Sequence, residues 1–332
     1  MFRQSPIENL SSAGFFVFLP LICLLAGSSC QPSVAGKEQK GTNDPAVVWS
    51  ISTKSGKKLI LAGSLHLLGP EDHPLPQVLM DSLNRCRVLI TETGRAEEAR
   101  DELKAFVVSR GELSAGERLS EAVTDEVREG LARHYEVVPE ARDQLEPLRP
   151  WLAALRIGAW RYGTMGVQRS LGVDATLLKL AEKRGMQIGS MESPVDQLGV
   201  LADLPWEGEE KLLKEVLEKA SEQAFVASFG KLKEAWRSGD LVRLDRHLKE
   251  TQQGSDRGLE GMLLGERNRR FAEHIRELGE ASSEDVEDTM VLVGAGHLVG
   301  AAGIVATLRD EMGMELVRVS PGDAVRMPAT ER

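Results

Sequence analysis

The sequence predicts an α/β fold in which the two ends of the chain build one sheet and a large, mostly helical insertion lies between them. Three observations lead there. Short apolar runs of strand character sit near both ends, at Lys58–Ala62 and Arg87–Thr91 on one side and at Met290–Val293 and Glu315–Val319 on the other. Apolar residues recur at helical spacing through most of the intervening chain, about residues 95–287. Neither end alone makes a sheet of useful size, so the two must pack together, with the helical middle as an insertion or cap.

The first segment is not fold. Arg3 lies in a short polar lead, Phe15–Ala26 is an apolar stretch too short to span a bilayer comfortably, and Gly27-Ser-Ser-Cys30 follows. This is the layout of an export signal. Cys30 directly after small residues resembles a bacterial lipoprotein cleavage site, although Gly27 stands where a branched aliphatic residue is more usual. Residues 1–29 are therefore expected to be removed, with Cys30 lipidated and the protein anchored to a bacterial membrane, facing the periplasm or the cell exterior. Ordinary cleavage near Ser28, giving a soluble secreted protein, is the alternative. Residues 30–46 read as the lipidated Cys and a flexible polar tether, 47–320 as the domain and 321–332 as a tail.

From Val47 to Gly94 the pattern is strand, strand, helix, strand. Trp49–Ser52 and Lys58–Ala62 flank a turn-like Lys54–Lys57, a helix follows near Gln77–Arg85, and the third strand ends at Glu92. Helical periodicity marks Leu131–Val138, Trp151–Tyr162, Ala175–Arg184, Lys211–Ala220 and Leu241–Leu248, interrupted by one strand at Met186–Glu192. The chain closes with the strand Met290–Val293, a helix over Ala301–Met312 and the strand Glu315–Val319.

Composition narrows the function. Apolar residues make up 42% of the 332, enough for a real core. Net charge is −10 and aromatics are 5%, which disfavours nucleic acid, because phosphate binding needs a basic footprint and single strands need stacking platforms. Outside the signal and Cys30 only Cys86 remains, so the domain has no internal disulfide. Cys86 lies between Arg85 and Arg87 with no partner base marked, a poor nucleophile.

Two motifs carry the chemistry. Lys58-Leu-Ile-Leu-Ala-Gly63-Ser-Leu-His66 and Thr289-Met-Val-Leu-Val-Gly294-Ala-Gly-His297 are apolar strands that each end in Gly-x-x-His. The glycine is expected to let the chain turn as it leaves the strand, presenting the histidine beyond the strand's carboxyl end, where open α/β sheets build their sites. Arg87–Glu92 delivers a carboxylate in the same way. His66, His297 and Glu92 form a candidate divalent-metal set with positions left for water or substrate. Glu192, at the end of the Met186–Glu192 strand, is a site residue or a structural anchor. Gly294–Gly300 does not make a dinucleotide loop, because its third glycine comes one residue late. Neither a Gly-x-Ser-x-Gly elbow nor a His-Glu-x-x-His helix is present. His134, His247 and His274 lie in charged helical stretches and read as solvated or partly packed. His73, in a Pro-rich loop, is expected outside the site.

The arrangement resembles the TraB/GumN family, which includes the animal Tiki proteins. The shared features are the paired Gly-x-x-His motifs and the glutamate after the second of the family's strands. His73-Pro-Leu-Pro76, Pro150-Trp151, Gly172-Val-Asp174, Met191-Glu192 with Gln197, Trp236–Asp240 and Glu266-Arg267-Asn268 look like family landmarks in family order, over roughly Trp49–Val319. Thr93-Gly94 departs from the pattern, since an acidic residue is common after the glutamate, and the source of a second carboxylate is left open. The resemblance implies a fold similar to the erythromycin-esterase and haem-binding ChaN-like group, makes Arg267 a candidate to hold an anionic or carbonyl group, and marks Asn268 as supporting.

The expected activity is metal-dependent hydrolysis of a peptide or ester bond. His66 and His297 would bind manganese, cobalt or zinc, and Glu92 would complete the set or act as general base. The alternative is a non-catalytic module that captures a peptide or a haem-like ligand on the same fold. The substrate would be a peptide or small carbonyl compound.

Overall fold

A computed structural model describes residues 42, 44–54, 56, 58–218, 222–251, 264–281 and 288–321. The expected signal, Cys30, most of the tether and the tail beyond residue 321 lie outside the described residues. Strands β1 (Val48–Ile51), β2 (Leu59–Ser64), β3 (Val88–Thr91), β4 (Gln187–Ser190), β5 (Thr289–Gly294) and β6 (Leu316–Arg318) form one sheet in the order β4-β3-β5-β2-β1-β6. The four strands from β4 to β2 are parallel; β1 runs antiparallel to both β2 and β6. Among the described residues the last strand thus returns to the first, and β5 inserts between β2 and β3. The chain ends share one sheet, as the sequence requires.

The residues explain the order. β2 (LILAGS) and β5 (TMVLVG) are buried at every position, which suits central parallel strands covered on both faces. At about 1.5–3 kcal/mol per fully buried aliphatic side chain, this pair is the spine of the sheet. β4 (QIGS) and β6 (LVR) are partly exposed and sit at the edges.

The longer helices are α1 (Gln77–Leu83), α2 (Arg100–Gly111), α3 (Asp125–Val137), α4 (Pro150–Thr164), α5 (Val173–Lys183), α6 (Pro194–Ala202), α7 (Trp206–Leu217), α8 (Glu222–Arg237), α9 (Leu241–Thr251) and α10 (Glu266–Glu280). All but α1 fall between β3 and β5. Pro150 and Pro194 start their helices at a position where no N–H is needed. The insertion is tied to the sheet at the site's doorstep: the fully buried Trp236 of α8 donates its indole N–H to Gly63 O at 2.9 Å. Among the described residues no helix is long and apolar enough to cross a membrane.

The expected helix over Ala301–Met312 starts late. Residues 299–303 form a tight turn, with Gly300 at φ +80°, and a Cβ on Gly303 would lie 2.3 Å from Val299 O. Helix begins only at Ile304 and widens to a π turn over Thr307–Glu311.

Candidate functional site

The register of the sheet builds the site. Ser64 of β2 pairs with Gly294 of β5, and Thr91 of β3 with Leu292. The carboxyl ends of three adjacent strands therefore finish together, with His66, Glu92 and His297 just beyond them.

Glu92 is the centre, only 3% exposed. Its Oε2 accepts from Gln197 Nε2 at 2.9 Å and from the Arg267 guanidinium at 3.2 Å. Its Oε1 accepts from the backbone N–H of Gly294 at 2.6 Å and faces both rings, 3.8 Å from His66 Nε2 and 3.7 Å from His297 Nε2. Both oxygens are thus held by the protein, Oε2 by side chains and Oε1 by a backbone amide, and Oε1 also looks into the site.

Each imidazole is held from behind through Nδ1. Asn268 Nδ2 donates to Ala302 O at 2.8 Å, so its Oδ1 faces His297 and accepts from Nδ1–H at 2.6 Å. The lone pair of His297 is then at Nε2. His66 Nδ1 lies 2.8 Å from Asp174 Oδ2, a close ionic contact whose approach is off the ring N–H axis. His66 Nε2 is buried and has no hydrogen-bond partner.

The charges are unequal. Burial works against an imidazolium at His66, but Asp174 and Glu92 outweigh it and push its pKa up to about 10. At His297 burial wins, reinforced by Arg267 and His66 against the pull of Glu92, and the pKa falls to about 4. Burial also works against the charge of Glu92. His297 when protonated, and at neutral pH His66 and Arg267, hold Glu92 well below the usual carboxylate range.

Behind Glu92 lies a second carboxylate, Glu192. It takes two hydrogen bonds from Arg267 and one from Gln197 Nε2 at 3.3 Å. Burial raises its pKa and Arg267 offsets part of that rise. The Arg267 side chain, 3% exposed, is bracketed by the two glutamates. Its Nε and Nη2 are thus engaged by carboxylates of the protein, whereas the resemblance implies a hold on an anionic or carbonyl group.

The glycines do more than expected. Gly63 is the penultimate residue of β2 and Gly294 the last of β5, directly before a 3-10 turn over Ala295–Leu298, and neither has positive φ. They supply space. A Cβ on Gly63 would press on Val47 and Leu298 at 3.0 Å. One on Gly294 would sit 3.1 Å from Glu92 Oε1, 3.3 Å from His66 Nε2 and 3.6 Å from His297 Cδ2, at the centre of the cradle. His73 is elsewhere, with Nε2 2.8 Å from Leu171 O. Burial pushes the Cys86 thiol up to about 12, so it is inert.

Two residues escaped the sequence reading as site members, Asp174 and Gln197. Both are polar residues in the first turn of a helix, a position with many ordinary uses. Their place in the string of landmarks was the available signal.

The site fits a divalent cation in its donors more than in their present spacing. No three His, Cys, Asp or Glu among the described residues stand ready as a ligand group. Two ligands of one tetrahedral ion, about 2.1 Å from it, lie roughly 3.4 Å apart. The gaps of 3.7 and 3.8 Å exceed that by a few tenths of an ångström. The unpartnered His66 Nε2, the lone pair on His297 Nε2 and the Nδ1 partner behind each ring match the way metal-bound histidines are supported.

A α/β sheet with two histidines and a glutamate at adjacent strand ends defines the class. The TraB/PrgY/gumN family model matches residues 47–314, and the chain belongs to that family. No curated protein and no solved structure matches it.

Proposed function

We propose that this chain is a metal-dependent hydrolase acting on a peptide or ester bond, exported and held at a bacterial membrane through lipidated Cys30. The observation that carries the reading is the convergence of His66 Nε2, His297 Nε2 and Glu92 Oε1 beside the Cα of Gly294, where a Cβ would crowd them. His66 and His297, with or without Glu92, would hold the ion. Once bound, it would supply Lewis-acid polarisation of a carbonyl and a water of lowered pKa. The residues' own part is clearer. Glu92 Oε1, ionised and beside both rings, is placed to accept a proton at that atom. Gln197 and Arg267 keep Oε2 out of the reaction and fix the carboxylate plane. Asp174 and Asn268 keep both Nε2 atoms turned inward.

Metal content and peptide hydrolysis measured together test this. Full-length protein should retain Mn²⁺, Co²⁺ or Zn²⁺ and cleave members of a mixed peptide library, and His66→Ala or His297→Ala should lose both. Bound metal without cleavage would favour the binding module. Cys30→Ala should move the protein from the membrane to the soluble fraction, and an unchanged location with no lipid mass at the N-terminus would favour ordinary signal cleavage.

A further inference from the structure

Asp174 is half-buried, like the His66 ring beside it, and its two oxygens are used in different directions. Oδ1 accepts from Ser64 Oγ at 3.0 Å and Oδ2 lies 2.8 Å from His66 Nδ1. Ser64 is the last residue of β2, two before His66, so the strand that presents the histidine also presents the hydroxyl that steadies its partner. The start of α5 is docked to make this possible. Val173 N–H donates to Leu65 O at 2.9 Å, and Gly172 packs so tightly on the backbone of His66 that a Cβ there would lie 2.2 Å from its carbonyl oxygen. An acid in a helix's first turn is ordinarily explained by the macrodipole. Here both carboxylate oxygens are turned to the strand end instead.

We infer that Asp174 is the positioning residue of His66. It holds Nδ1–H on the outer side of the ring, so that Nε2 is aimed at Glu92 Oε1 and the Cα of Gly294. His297 receives the same service from a neutral amide, Asn268. The two histidines are therefore different donors. His66, backed by a carboxylate, is the stronger, and its hold on a cation depends on Asp174. This rests on the proposed metal site, and the measurements below separate the two.

Metal-free full-length protein is titrated with Co²⁺ and followed by visible absorption. Asp174→Asn, nearly the same shape, should weaken Co²⁺ binding by about 10–100-fold and shift the absorption bands of the folded protein. A merely structural Asp174 would leave both the Co²⁺ affinity and the bands of the folded protein unchanged. If Asp174→Asn binds Co²⁺ like the wild type while His66→Ala does not, the inference fails and the metal site stands. If His66→Ala and His297→Ala bind like the wild type, the metal site fails, and a second reading decides. In metal-free protein the Nδ1–H of His66, assigned by its loss in His66→Gln, should give a slowly exchanging downfield proton signal that disappears in Asp174→Ala, which leaves no acceptor at position 174. Its persistence there overturns the inference. Should Asp174→Asn not fold, Asp174→Ser gives the same Co²⁺ reading.

Discussion

The backbone N–H of Gly294 donates to Glu92 Oε1 at 2.6 Å, joining residues 202 apart in the chain. The second motif's glycine therefore grips the carboxylate as well as leading to its own histidine. Position 294 serves two ends at once: an amide for Glu92 and an empty Cβ position for whatever the cradle holds.

Gly294→Ala should separate folding from binding. Gly294 has φ −54°, which alanine adopts freely, so the backbone is not strained. The added methyl meets two polar site atoms and a ring carbon. The expected result is a fall of about 1–3 kcal/mol in unfolding free energy by urea denaturation, together with loss of Co²⁺ binding. Gly63→Ala meets first the apolar Val47 and Leu298, and should cost similar stability while the folded fraction binds normally.

Arg267 is expected to matter for stability first. It lies between Glu92 and Glu192, and removing it leaves two buried carboxylates facing each other. Breaking a buried pair from one side costs about 3–5 kcal/mol. Arg267→Met should show that loss in urea denaturation, and Arg267→Met with Glu192→Gln should recover part of it. Arg267→Lys should not substitute, because one ammonium cannot reproduce the fork that serves both partners. A single Arg267→Met that unfolds like the wild type would remove this account.

How much of this was legible in the sequence follows from how local each signal is. β2, β3 and β5 announce themselves as apolar runs, and His66, Glu92 and His297 are fixed by their own strand ends, so strand pattern and site residue are read from the same few positions. Asp174 and Gln197 act on partners 110 and 105 residues away, Ser64 and Glu92. Nothing in their own neighbourhood distinguishes them from ordinary first-turn residues. Arg267 and Asn268 sit in a run that looks like a charged helix face, yet both are buried. Their place becomes visible only when α10 lies against the strand ends. The glycines' further part, the room a missing Cβ leaves beside Glu92 and the rings, is invisible to a one-dimensional reading, which sees only a strand-ending turn.

The metal-free protein should be most stable near neutral pH, with each histidine shaping one limb. His297 has a native pKa of about 4, below its unfolded value of about 6.5. Between those values the unfolded chain carries the extra proton, so stability falls as pH drops from 6.5 toward 4. His66 has a native pKa of about 10, above its unfolded value. From 6.5 to 10 the native state carries the extra proton, so stability falls again as pH rises. Each slope approaches about 1.4 kcal/mol per pH unit where one proton is at stake. Urea midpoints measured from pH 4 to 10 check this. His66→Gln should flatten the alkaline limb and His297→Gln the acid limb, and a wild-type profile level from 6.5 to 10 would contradict the charge state assigned to His66.

Glu92→Gln is commonly chosen to remove a general base while keeping shape, but here it should not be silent in the fold. Every contact made by the carboxylate is with a donor: Gly294 N–H on Oε1, and Gln197 Nε2 and Arg267 on Oε2. A glutamine has one acceptor oxygen and one NH₂. If the NH₂ replaces Oε1 it opposes the Gly294 amide at the shortest of these contacts. If it replaces Oε2 it opposes two donors, one of them a buried cation. The first orientation costs one unsatisfied buried pair, about 1–3 kcal/mol, and the second costs more. Glu92→Gln should therefore adopt the first, lose a few degrees in thermal midpoint and turn an N–H toward His66 and His297, excluding a cation as well as abolishing proton acceptance. Metal content, thermal midpoint and hydrolysis should fall together. Glu92→Gln with Gln197→Glu exchanges the amide and the acid across a 2.9 Å contact and keeps the net charge. It should regain thermal stability through Arg267 without regaining metal, because the ionised oxygens are then on the far side of position 92. Retention of full metal content by Glu92→Gln would show that the two histidines hold the ion without Glu92, and would leave that glutamate the role of proton acceptor alone.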